Sequence, residues 1–197
     1  MPALTTKLEA VNAMLGHVGE TPVNSIVDTS ALPVTAAIAV TVLDEASREI
    51  QSEGWHFNTE NNVKLTPNAE NQITLQNDVL ELDTADISID IVQRGSSLYD
   101  RKNNTTEFTG TVTVNLIRLL AWESLPETAR RYITLRASRI FQSRVVGSAE
   151  LEKLIARDEY TARGRLLTSD GTNSDRTIFD NVEVGQRIGV NRNYSIT

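Results

Sequence analysis

The chain has no cysteine in 197 residues. That absence excludes zinc–cysteine sites, iron–sulfur clusters, thiol catalysis and a disulfide scaffold. Histidine is almost missing as well: His17 and His56 stand alone, too few and too far apart to frame a metal site. No uninterrupted apolar run approaches the roughly 18 residues a membrane helix needs, and the opening MPALTTKLEA lacks the apolar stretch of a secretory leader. Neither export by a leader nor contact with a membrane is expected. Phosphate-loop, dinucleotide-fingerprint, HExxH and GxSxG motifs are also missing.

What remains is a chain with 40% hydrophobic residues, enough to bury a core without staples, and a length that suits one domain or one domain with an insertion. Its net charge of −7 is unevenly spread. Residues 1–93 hold three bases and fourteen acids, whereas 94–197 hold sixteen bases and twelve acids. Fifteen of the nineteen bases are arginine, the side chain suited to forked pairing with carboxylate or phosphate. Two consequences are open: the halves neutralise each other on folding, or one copy's acidic face meets another's basic face.

Periodicity divides the chain. Thr6-Lys7-Leu8-Glu9 is a capping box that starts a helix with Leu8, Val11, Leu15 and Val18 on one face and a stop at Gly19 and Pro22. A second helix starts near Pro33, carries Ile38, Val42, Leu43, Ala46 and Ile50 inward, and ends at Gly54. From Trp55 to about Leu120 the period becomes two. Ile87, Ile89 and Ile91 predict one strand and Val112, Val114 and Leu116 another, with turns at Asn77-Asp78, Arg94-Gly95-Ser96 and Asn103-Asn104. Trp55 and Phe57 are expected to anchor the core where the second helix meets the sheet.

Pro126 opens a third helix with Ala129, Ile133, Ala137, Ile140, Phe141 and Val145 as its stripe. Ser148 caps a fourth, bearing Leu151, Leu154, Ile155, Ala162 and Leu166, that is expected to break near Ser169-Asp170-Gly171. The expected fold is α+β: a four-helix bundle from 1–54 and 126–169, an antiparallel β region at 55–125 inserted between helices two and three, and an extended arm at 170–197.

Candidate chemistry is sparse. Glu45, Glu49 and Glu53 line successive turns of helix two, but glycosidic cleavage needs carboxylates that flank a cleft, so a solvated face fits them better. A glycan- or wall-cleaving hydrolase is the rival these acids keep open. Helix three sets Arg130, Arg131, Arg136, Arg139 and Arg144 against the single acid Glu127. Arg144 lies within the apolar stripe and is expected to pair with Glu49, while Arg131, Arg136 and Arg139 point outward as candidate contacts for a partner or a nucleic-acid backbone. In the arm, Ile178, Phe179, Val182, Ile188 and Tyr194 form a candidate docking segment.

Several strings stand in a fixed order. They are Ala10-Val11-Asn12, Gly19-Glu20, Pro22-Val23, Ile50-Gln51-Ser52, Gly54-Trp55, Phe57-Asn58, Leu65 and Pro67, followed by Tyr99-Asp100-Arg101, Gly110, Thr113-Val114-Asn115 and Ile117-Arg118-Leu119. Pro126, Ala137-Ser138-Arg139, Phe141, Arg144 and Gly147 complete the set, and the ordered set resembles the tail tubular protein A family, the head-to-tail adaptors of short-tailed podoviruses. The resemblance spans about residues 10–147. It implies a non-enzymatic structural protein of the virion tail, assembled in the host cytoplasm without a cofactor. It further implies a ring, twelve copies in the family, between the portal protein and a tail nozzle of the tail tubular protein B type, whose lumen passes double-stranded DNA.

Overall fold

The computed structural model describes residues 4–84, 86 and 88–173. It is a mixed α+β structure with four helices and small antiparallel sheets: α1 (Lys7–His17), α2 (Val34–Gln51), β1 (Thr59–Leu65), β2 (Val79–Asp83), β3 (Ile91–Arg94), β4 (Ser97–Asp100), β5 (Val112–Arg118), α3 (Glu127–Val145) and α4 (Ala149–Asn173). The arm residues Ile178, Phe179, Val182, Ile188 and Tyr194, and Ile87, lie outside the described residues.

The capping box forms as its residues dictate: Glu9 N–H donates to Thr6 Oγ1 (3.1 Å) and Thr6 N–H to the Glu9 carboxylate (2.7 Å). Ala10, Val11, Met14 and Leu15 then turn inward. Asn12 holds the segment after α1, donating to Val23 O and accepting from Val23 N–H at 3.0 and 2.8 Å. In α2 the buried side carries Ala36, Ala39, Ala46 and Ser47 beside Val42, Leu43 and Ile50, and these small residues let neighbouring backbones approach. Ile38, expected inside, is 38% exposed because it sits toward the outer edge of the first helical turns.

Helix α3 is the centre of the helical layer and packs against α1, α2 and α4. Its buried arc includes Ala129, Ile133, Ala137 and Phe141. Helix α4 runs antiparallel along α3 and buries only the seam Ile155, Glu159, Ala162 and Leu166. Leu154, expected within that seam, is 64% exposed, since α4 has one principal helical neighbour to cover it. The expected break near Ser169-Asp170-Gly171 does not occur, and the helix reaches Asn173. The Asp170 carboxylate accepts His56 N–H at 2.7 Å, and this tertiary tether holds the final turn against glycine's preference for disorder.

The β part has its own core of Ile73, Leu75, Val79, Ile91, Leu98, Phe108, Val112, Val114 and Leu116. One antiparallel sheet has the order β1-β5-β2, and β3 and β4 make a separate hairpin around Gly95. Val112, Val114 and Leu116 are buried with period two, as predicted. The strand expected from Ile87 begins only at Ile91, because the Asp86 carboxylate takes Ser88 N–H and Ile89 N–H bonds Asp86 O, closing a turn.

Polar side chains rivet the two cores together. Gln51 is fully buried, donates to Leu120 O (3.2 Å) and accepts Leu120 N–H (2.7 Å), so it pairs with the returning chain as a strand would. Asn58 donates to both Gln51 O and Arg118 O at 2.8 Å and accepts Trp55 N–H at 2.9 Å. Gly54, at φ +74°, is required between them: a Cβ would stand 2.8 Å from Ile117 Cδ1. Trp55 is buried, stacks on Phe57 at 6.4 Å and donates to Ile50 O.

Candidate assembly surface

The arginines of α3 divide into three environments. Arg130 is the buried one, at 4% exposure, and its guanidinium caps three backbone carbonyls: Leu125 O (2.9 Å), Thr5 O (2.8 Å) and Glu123 O (2.8 Å). Trp122 Nε1 shares Thr5 O, and Glu127 accepts Thr5 N–H, so the segment before α1 is clamped onto the start of α3. The sequence signal for this burial is spacing: Arg130 stands seven and eleven residues before Ala137 and Phe141, on the same stripe.

Arg136, Arg139 and Arg144 form the second group. Arg136 reaches Glu49 on α2 (2.9 Å) and Glu159 on α4 (3.5 Å). Arg139 reaches Glu152 (2.7 Å) and Glu159 (3.2 Å). Arg136 and Arg139 therefore turn toward neighbouring helices rather than outward. Arg144 pairs with Glu45 at 2.9 Å, not with Glu49, and is about half exposed. The stripe does continue through residue 144, but the last turn of α3 extends past the surfaces that would cover it. Glu53 completes the pattern with Arg163 of α4 (3.1 Å). Glu45, Glu49 and Glu53 thus each meet a different arginine on a neighbouring helix, an arrangement that fastens helices and is unlike an acid–base pair across a cleft. The exposed bridges contribute little individually; Glu159 is buried between two guanidinium groups, and removing one member of a buried pair is the costly change.

Arg131 is the third case: exposed, and in no ion pair among the described residues. Lys153, Arg157 and Arg165 on α4 share that condition, as do the acids Glu70, Glu81, Asp83, Asp86 and Glu107 of the β part. Folding therefore neutralises part of the charge asymmetry, through the acids of α2 and the arginines of α3 and α4. Unpaired charges of both signs remain on both parts: Lys64 and Lys102 in the β part, and Glu20, Asp28, Glu150 and Asp158 in the helical part, are also in no ion pair among the described residues. Among the described residues no helix is long and apolar enough to cross a membrane.

His17 adds a pH-sensitive point. Its Nδ1 is buried without a hydrogen-bond partner among the described residues, and burial pushes the imidazole pKa below its ordinary 6.5, with the Arg131 charge acting the same way and Asp158 opposing. Below 6.5 the unfolded chain takes up a proton that the native state resists, so stability is fully present above that value and falls as pH drops toward the folded pKa. Denaturant midpoints measured from pH 7.5 downward should show this loss, and His17→Leu should flatten that part of the curve.

The model of one protein family, the tail tubular protein, matches residues 8–176. A search of curated proteins gave no match. The matched span runs from the first turn of α1 beyond the end of α4, past the Gly147 limit of the resemblance seen in the sequence. A family match over most of the length, on a fold whose charged side chains fasten helices, places the chain in the tail tubular protein family, structural proteins of the podovirus virion tail.

Proposed function

We propose that the protein is the head-to-tail adaptor: a ring between the portal protein and the tail nozzle, whose lumen passes double-stranded DNA. The observation that carries the reading is the match of residues 8–176 to the tail tubular protein family, on a fold whose α2 carboxylates are taken up by arginines of neighbouring helices. Exposed charges of both signs, Arg131 and Arg157 among the bases and Glu70 and Glu107 among the acids, suit heterologous contacts, which close into a ring when the rotation between copies closes. The rivet of Gln51 and Asn58 supports it further, since a connector under load has to keep its two parts in fixed relation.

In this reading the four helices act as a bundle, 1–54 with 126–169, into which the β region 55–125 is inserted, and the two parts face different neighbours. Arg131 is a lumen or partner contact, with Arg136 and Arg139 behind it setting its helix. The arm, which follows Asn173, docks on a neighbouring molecule through Ile178, Phe179, Val182, Ile188 and Tyr194. Assembly takes place in the host cytoplasm, with twelve copies as in the family.

A phage lacking this chain tests the assignment. DNA-filled heads without tails are expected. Particles with complete tails that fail only at crossing the cell wall would favour the hydrolase reading instead, and a Glu45, Glu49 and Glu53 to glutamine variant would then lose that activity.

A further inference from the structure

We propose that, in the ring, Val182-Glu183-Val184 of one copy adds as a strand to the open edge of β1 in the adjacent copy, pairing with Val63-Lys64-Leu65. The inference rests on the adaptor reading and specifies where its arm docks.

The sheet order β1-β5-β2 leaves the outer side of β1 without a strand among the described residues, and none of its seven residues is buried. An unpaired row of backbone N–H and C=O groups is a template for another strand. The edge is partly guarded. A bulge between Glu60 and Val63, with Asn62 at φ +59°, breaks the ladder on one side, and Pro67, which has no N–H, stands just past its end. The straight, available stretch is Val63–Leu65. Val63 and Leu65 are half-buried and pack on the β core, while Lys64 is exposed on the other face.

The arm carries a complementary pattern. Val182, Val184, Ile188 and Val190 share one parity, with Glu183 and Arg187 on the other. Set beside Val63-Lys64-Leu65, the triplet Val182-Glu183-Val184 places valine against valine or leucine and Glu183 against Lys64, pairs that each favour the register. A one-residue slip would put charge against the apolar face.

The arm also starts in the right place. Asp170 is tethered to His56, three residues before β1, so the chain leaves α4 beside the start of that strand. The nine residues from Asn173 to Val182 span up to about 30 Å when extended. In a cyclic ring every β1 lies at the same level, so an arm leaving at that level reaches the neighbour's edge without moving along the axis. Three residue pairs make a weak contact, and closing the ring multiplies it.

The chain has no cysteine, so two introduced ones report the contact cleanly. Lys64→Cys and Glu183→Cys variants of the full chain are mixed, assembled on a portal ring, oxidised and run on a non-reducing gel. The expected result is a covalent dimer from the mixture and only monomer from either variant alone. In the double variant the expected result is a ladder of multimers, and a crosslinked monomer there would put the arm on its own β1 and overturn the proposal. A ring that forms with no crosslink in either experiment overturns it as well. Failure of any ring to form on the portal defeats the adaptor reading itself, and this inference with it. As a second readout, Lys64→Glu should weaken ring formation at least tenfold, and Glu183→Lys in the same chain should restore it.

Discussion

Phe141→Ala is expected to lower the unfolding free energy by about 3–5 kcal/mol, the usual cost of a phenylalanine-sized cavity in a core that relaxes only in part. Phe141 is fully buried, and it sits on the one helix that packs against the other three. Its ring belongs to the same cluster as Leu15, Leu43 and Leu166, which come from α1, α2 and α4, so no single neighbour can move in to fill the space. Urea unfolding followed by far-ultraviolet circular dichroism measures the loss. A change under 1 kcal/mol would mean that α3 is not the common partner of the other helices.

Gln51→Leu is expected to cost about 2–4 kcal/mol, because it removes no comparable volume yet strands the N–H and C=O of Leu120, each worth roughly 1–3 kcal/mol when left unpaired. The signature is as informative as the size. With this rivet gone, the β core loses one of its links to the helical core, and unfolding should spread into two transitions. Hydrogen exchange should show the amides of β1 and β5 opening before those of α3. One sharp transition at the wild-type midpoint would show that the Gln51 side chain does not join the two cores.

These two residues also show how far the sequence could be read. Phe141 was legible because the 3.6 period is local, and the same holds for the Thr6 capping box and the alternation of Val112, Val114 and Leu116. Gln51 was not: its partner is a backbone group 69 residues away, and a backbone leaves no side-chain signal. The arginines failed for a related reason. Arg130 shares the stripe on which the sequence sets Arg144, and only the packing decides that Arg130 is covered while Arg144 emerges and takes Glu45. Arg136 and Arg139 looked outward because a wheel knows one helix, whereas their carboxylates belong to two others. At 169–171 the local breaker signal was genuine, but the bond between Asp170 and His56 outweighed it.

The adaptor reading stands or falls on binding the portal. The purified chain should run as a monomer alone, since a protomer with net charge −7 repels its copies and a lone contact of this kind does not offset the ordering cost. Mixed with the portal ring of its own phage, it should elute with that ring, and light scattering should give the added mass of a full set of copies. Separate elution of the two components at low and moderate salt would contradict the account.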